Sequence, residues 1–260
     1  MTAGAHPLDL LKRSLAGDRR ALSRLLTVIT EGASPELLAE VEGCRLGSQV
    51  VGVTGPPGAG KSSLVDRLVA HLRAGNRRPA VVAVDPSSPI TGGAILGDRV
   101  RMQRHSDDAN VYIRSMASRG RLGGLSAGTG AVVALLDATG FDPIIVETVG
   151  VGQSELEVVA LADTVVVVLP PGFGDEIQMA KAGLLEVADV LCVNKADLGE
   201  AEVTMARLLE SIEPKQGWNP PVVATSASTG EGVDELLAAV GAHRLHLRQA
   251  VEDAAPDNSA

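Results

Sequence analysis

The 260-residue chain predicts an α/β fold: a mostly parallel sheet with helices on both faces, preceded by a short N-terminal helical extension. Three observations predict it. Short β-branched runs recur along the chain, and helical stretches of about ten residues or more separate most of them, the alternation that builds a parallel sheet through right-handed crossovers. Several of those runs are apolar without alternation, as expected when a strand is covered on both faces. The first run leads directly into Gly55-Pro56-Pro57-Gly58-Ala59-Gly60-Lys61-Ser62, which fits the phosphate-binding loop in its required strand, loop, helix setting.

Taken in order, residues 8 to 46 place Leu11, Leu15, Leu22, Leu25, Leu26 and Ile29 at helical spacing, with Gly17-Asp18 and Ser34-Pro35 as breaks and helix starts. Residues 1–48 therefore read as a helical extension packed on the main domain. Strands are expected at Val50 to Thr54, Ala80 to Val84, Val111 to Ser115, Pro143 to Glu147, Thr164 to Leu169, Val190 to Asn194 and Val222 to Thr225. A helix from Ser63 to Leu72 follows the glycine-rich loop, and another spans Val233 to Leu247. Residues 49–247 form one phosphate-loop domain on this reading, and 248–260, polar toward its end, is a flexible tail.

A net charge of −9 argues against a general binder of nucleic acid or membrane surface and favours a small molecule or a protein as partner. Cys44 and Cys192 are the only cysteines, far apart and without metal-ligand spacing, so a reducing, cytoplasmic setting is expected. Aromatic residues make up 2% of the chain, so the core must be aliphatic.

The chemistry-bearing residues fall where strands end, the edge at which open α/β sheets collect ligands. In the glycine-rich loop, successive backbone N–H groups, with Ser63 behind them, can face one anion while the following helix adds its positive end. Lys61 would bridge the β- and γ-phosphates, and Ser62 would reach Mg²⁺. Strand two delivers Asp85, a candidate to act on Mg²⁺ through water or to orient the nucleophile. Asp98, after a glycine-rich segment, is either a metal or water ligand or a helix cap. Glu147 closes a buried apolar strand, costly for a carboxylate unless paired, and Mg²⁺ beside a γ-phosphate would supply that pairing. Gly150 would sense the γ-phosphate, making Val149 to Glu157 a switch, with Gln153 as a candidate to position water. Asn194-Lys195-Ala196-Asp197 after a strand suits guanine: Asp197 accepts from N1–H and the exocyclic amine, Lys195 lies along the base, and Asn194 braces the loops. In Ser226-Ala227-Ser228, the Ala227 N–H would meet guanine O6. The combination favours GTP over ATP.

Together these motifs resemble the MeaB/ArgK family of G proteins, GTPase chaperones associated with methylmalonyl-CoA mutase. The resemblance covers about residues 8 to 247 and rests on Gly52 to Ser62, Val84 to Ser88, Gly97-Asp98-Arg99, Ser118-Arg119-Gly120 with Leu122-Gly123-Gly124, Glu147 to Glu155, and Pro170 through Gly174-Asp175 to Lys181. It implies GTP hydrolysis, slow without a partner, coupled to cofactor loading, protection or reactivation of an adenosylcobalamin-dependent acyl-CoA mutase. It also implies that Ser62, Asp85, Asp98 and Glu147 form the metal set, and that the Pro170 to Lys181 loop, with Asp175, Glu176 and Lys181, passes nucleotide state to the mutase. Family members extend past the helix matching Val233 to Leu247 into an arm that makes a homodimer. This chain stops soon after, which leaves dimer and monomer both open. Two rivals share the phosphate loop: a nickel-insertion GTPase, and a kinase acting on a small molecule or a protein.

Overall fold

The computed structural model describes residues 6–86, 102–118, 126–148, 154–172 and 183–254. Its sheet has seven strands: β1 (Val50–Thr54), β2 (Ala80–Pro86), β3 (Tyr112–Ser118), β4 (Ile144–Thr148), β5 (Thr164–Leu169), β6 (Val190–Asn194) and β7 (Val222–Thr225). They lie in the order β3-β2-β4-β1-β5-β6-β7, and each neighbouring pair is parallel. Four strands have the bounds expected from sequence. β4 starts one residue late because Pro143 has no N–H to give to the ladder.

Residue parity divides the core between the two faces, because successive strand side chains point oppositely. Val50, Val82, Ile144 and Val146 face α1 (Pro7–Leu15), α2 (Arg19–Gly32), α3 (Pro35–Gly43) and α5 (Ser126–Ala138). Val51, Val53, Val81 and Ile145 face α4 (Lys61–Ala74) and α9 (Val233–Ala254). The remaining helices are α6 (Ser154–Leu161), α7 (Leu184–Val187) and α8 (Ala201–Leu209). α7 and α8 cover the β5–β6 end of the sheet around Val167, Leu169 and Leu191.

The N-terminal helices begin as their sequence dictates. The Asp18 carboxylate accepts from the N–H groups of Arg20 and Ala21, Ser34 accepts from Leu37, and Pro35 opens α3 where a missing N–H costs nothing. Leu22, Leu25, Leu26 and Ile29 then pack into the same core as β2 and β4, so the extension covers one face of the sheet. At the other end, α9 runs on to Ala254. The stretch expected as a tail from 248 is thus helical to that point, since Gln249, Ala250 and Glu252 favour helix and no proline interrupts before Pro256.

The amino ends of the strands are held by aspartates. Asp142 accepts from the Gln49 N–H, Asp163 from Val50 and Asp189 from Val165. Asp137, fully buried on α5, accepts from the backbone of Leu46, Gly47 and Ser48, the Ser48 hydroxyl and the Arg45 guanidinium. Burial alone would raise its pKa, but Arg45 and the Ser48 donors outweigh that and hold the carboxyl below its usual value.

Candidate functional site

At the carboxyl edge, β1 and β4 are neighbours, with Val53 paired to Glu147, so the loop after β1 meets the end of β4. Gly55 and Gly60 explain why this loop needs glycine. Both have positive φ, +137° and +90°, and a side chain at Gly55 would run into the Val168 carbonyl of β5. A Cβ at Gly60 would sit 2.5 Å from Asn194 Nδ2. Gly60 is also the N-cap of α4 and offers no side-chain acceptor, which leaves first-turn N–H groups to face whatever occupies the loop.

Lys61 curls back, its ammonium donating to the carbonyls of Gly55 at 2.6 Å and Pro56 at 3.2 Å. Beside it, the Ser62 hydroxyl donates to Glu147 Oε1 at 2.6 Å, with both residues buried. A hydroxyl and a carboxylate brought together are oxygen donors, the chemistry Mg²⁺ prefers, so these residues fit the ion. Deeper in, Thr148 donates to Thr54 and ties the two strand ends together.

A second cleft of about 370 Å³ opens on Gly60, Ser63, Asn194, Lys195, Asp197, Ala227 and Ser228. Asn194, at the end of β6, links the loops around it. Its Nδ2 donates to the Ala59 carbonyl at 2.9 Å, and its Oδ1 accepts from the Thr225 hydroxyl at 3.1 Å and the Ala227 N–H at 3.2 Å. The Ala227 N–H is therefore engaged by Asn194, and reaching a base oxygen would require sharing or exchanging that bond. Lys195 has φ +68°, a left-handed turn that carries the chain around to Asp197. Asp197 is exposed and accepts from the Ser228 hydroxyl at 3.1 Å. Side-chain hydrogen bonding, from Ser226 first and then Ser228, keeps its carboxyl ionised below the usual range.

The backbone of Asp85, one residue before the end of β2, lies on the same edge, in register with Ala117 of β3. Its side chain is outside what is described. Asp98, Gly150, Gln153, Arg119, Arg121, Asp175, Glu176 and Lys181 lie outside the described residues. Sequence reasoning missed the contacts that tie α4 to its surroundings. Asp66 pairs with Arg104 and His105, at 3.1 Å to the latter, and Arg67 reaches the loop after β7. An Asp-Arg pair in a helix carries no pattern that separates it from a solvated face. His243 and His246 cluster with Trp218 at ring-centroid distances of 5.0 and 5.4 Å. Among the described residues, no group of three or more His, Cys, Asp or Glu could hold a metal ion.

A seven-stranded parallel sheet with this glycine loop, the Ser62–Glu147 pair and the Asn194–Asp197 turn defines a P-loop GTPase. The family profile described as methylmalonyl Co-A mutase-associated GTPase MeaB matches residues 22–258, and the chain belongs to that family. A Pyrococcus horikoshii protein named as a GTPase is 47% identical over 253 residues, covering 94% of this chain and 80% of its own length. The mouse mitochondrial methylmalonic aciduria type A homolog is 41% identical over 194 residues, 72% of this chain and 46% of its own. Among solved structures, a LAO/AO transport system kinase superposes with a TM-score of 0.76 at 27% identity, covering 96% of this chain and 78% of that one. No helix among the described residues is long and apolar enough to cross a membrane.

Proposed function

We propose that this GTPase serves as a chaperone for an adenosylcobalamin-dependent acyl-CoA mutase, methylmalonyl-CoA mutase or a relative, with GTP hydrolysis coupled to cofactor loading or to protection and reactivation of that enzyme. The family match carries the choice of partner, and the mouse relative's name points the same way. Neither rival reading finds comparable support, since the matched family is one of mutase-associated GTPases.

On this reading the nucleotide lies across both clefts. The loop from Gly55 to Ser63 cradles the phosphates with backbone N–H groups, and Lys61 leaves its carbonyl partners for the phosphate oxygens, stabilising charge that builds up during transfer to water. Ser62 and Glu147, with Asp85 and Asp98 as the further members of the set, would hold Mg²⁺; when bound, the ion neutralises phosphate charge. Glu147 also orients the Ser62 hydroxyl across a 2.6 Å bond. Asp197 receives guanine through N1–H and the exocyclic amine, Lys195 flanks the base, and Ser226, Ala227 and Ser228 close the rim. Gly150 senses the γ-phosphate within the Val149 to Glu157 switch, and the Pro170 to Lys181 loop carries that state to the mutase.

The test is affinity capture from native extract with the tagged protein loaded with GDP or with a non-hydrolysable GTP analogue. The expected result is a cobalamin-dependent mutase whose retention differs between the two states. Equal recovery of no such mutase in either state would overturn the proposed partnership.

A further inference from the structure

Arg67 sits on the second turn of α4, outside every motif that marks this site. Its guanidinium reaches the loop after β7 and donates from Nε to the Ala227 carbonyl at 3.0 Å and from Nη2 to the Ser228 carbonyl at 2.8 Å. Two adjacent donors on two consecutive carbonyls make a fork that a lysine ammonium cannot reproduce at both atoms. The loop is closed on itself, with Ser226 N–H donating to the Glu231 carbonyl and Gly230 N–H to the Ser226 carbonyl. It also wraps the arginine stem: a Cβ at Gly230, where φ is +91°, would lie 3.7 Å from Arg67 Cδ.

The Ser226 to Ser228 stretch is thus held from three sides. Asn194 takes the Ala227 N–H, Asp197 takes the Ser228 hydroxyl, and Arg67 takes the two carbonyls. The first two holds come from the turn that faces the cleft. Only Arg67 belongs to the helix whose first turn carries Lys61 and Ser62. The same stretch of α4 places Asp66 against Arg104 and His105, so the helix is pinned on that side as well.

We propose that Arg67 is a positioning residue for guanine recognition. It clamps the Ala227 and Ser228 carbonyls so that the Ser228 hydroxyl keeps its hydrogen bond to Asp197 and the carboxylate stays turned toward the base. The inference rests on the guanine reading of this cleft. It goes further in assigning discrimination to a side chain that never touches the nucleotide. Without the clamp, the Ser228–Asp197 contact loosens, and what is lost is the fit to the exocyclic amine, the group that separates guanine from hypoxanthine.

The experiment compares wild type with R67A and R67K by calorimetric binding of GDP and by steady-state hydrolysis of GTP and ITP. Losing a charge-assisted fork is expected to weaken GDP binding about tenfold in R67A. The loss should fall on KM for GTP more than on kcat, and the preference for GTP over ITP should shrink. R67K, able to reach one carbonyl, should lie between R67A and wild type, and it carries the same comparison if R67A does not fold. GDP affinity within about twofold of wild type, or equal losses for GTP and ITP, would overturn the assignment. A wild type that binds no guanine nucleotide would instead remove the reading of the cleft on which it rests.

Discussion

Replacing Asn194 with alanine tests whether the two halves of the site are one mechanical unit. The side chain is 1% exposed and joins the Ala59 carbonyl in the phosphate loop to the Thr225 hydroxyl and the Ala227 N–H beside the base cleft. Each such bond contributes about 1 kcal/mol net, so loss of the three short ones should destabilise the nucleotide-free protein by about 3 kcal/mol. For a chain of this size that corresponds to a fall in melting temperature of roughly 6 °C. The expected loss of GDP affinity is at least about tenfold, because both loops that flank the nucleotide lose their common anchor. N194D sharpens the test. It keeps the shape and the acceptor oxygen but turns the donor facing Ala59 into a second oxygen, so it should be no more stable than N194A. Urea unfolding without nucleotide, combined with calorimetric GDP titration, measures both effects. A change under about 0.5 kcal/mol in N194A with unaltered affinity would refute the brace.

Three further outcomes follow from the same geometry. E147A removes the acceptor of the Ser62 hydroxyl and should depress GTP hydrolysis at least about tenfold with the fold retained by circular dichroism, whereas a wild-type rate would exclude Glu147 from the site. G60A places a side chain at φ +90° and against Asn194, costing about 2 kcal/mol in unfolding free energy and weakening nucleotide binding; an unaffected denaturation midpoint would contradict the packing seen there. D137A strips five donors of their acceptor and should cost about 3 kcal/mol by urea unfolding. Because the folded-state pKa of Asp137 is depressed, its contribution is fully present above the usual carboxylate value and is lost as pH falls through the lower folded value. The gap between wild type and D137A should therefore persist from neutral pH to about pH 5 and close in stronger acid; a gap independent of pH down to about 2 would show that the carboxylate charge is not involved.

Much of the candidate site was legible in one dimension because its glycine loop and its Asn194–Asp197 turn are short, contiguous stretches. Glycines at fixed offsets before Lys61-Ser62, and an Asn-Lys-x-Asp run after an apolar strand, specify their own backbone geometry whatever surrounds them. The same holds for the strands: β1, β5 and β6 have the expected bounds because a buried parallel strand writes its apolar character into consecutive residues. Helix ends were less legible. α9 extends to Ala254 because helix propensity continues where charge and polarity alone suggested a tail.

By itself the sequence determined the parallel α/β class, the glycine loop before Lys61-Ser62, the Glu147 strand and the Asn194–Asp197 turn, each encoded within a few consecutive residues. Only the tertiary structure decided which distant groups hold those pieces in place. Arg67 meets the loop 160 residues away, Asn194 meets Ala59 across 135, and Asp137 anchors the entry to β1 from 89 residues downstream. Such contacts leave no periodicity to read, since an arginine on a helix or an aspartate among aliphatic residues acquires its partner only when the sheet has brought separate crossovers to the same edge.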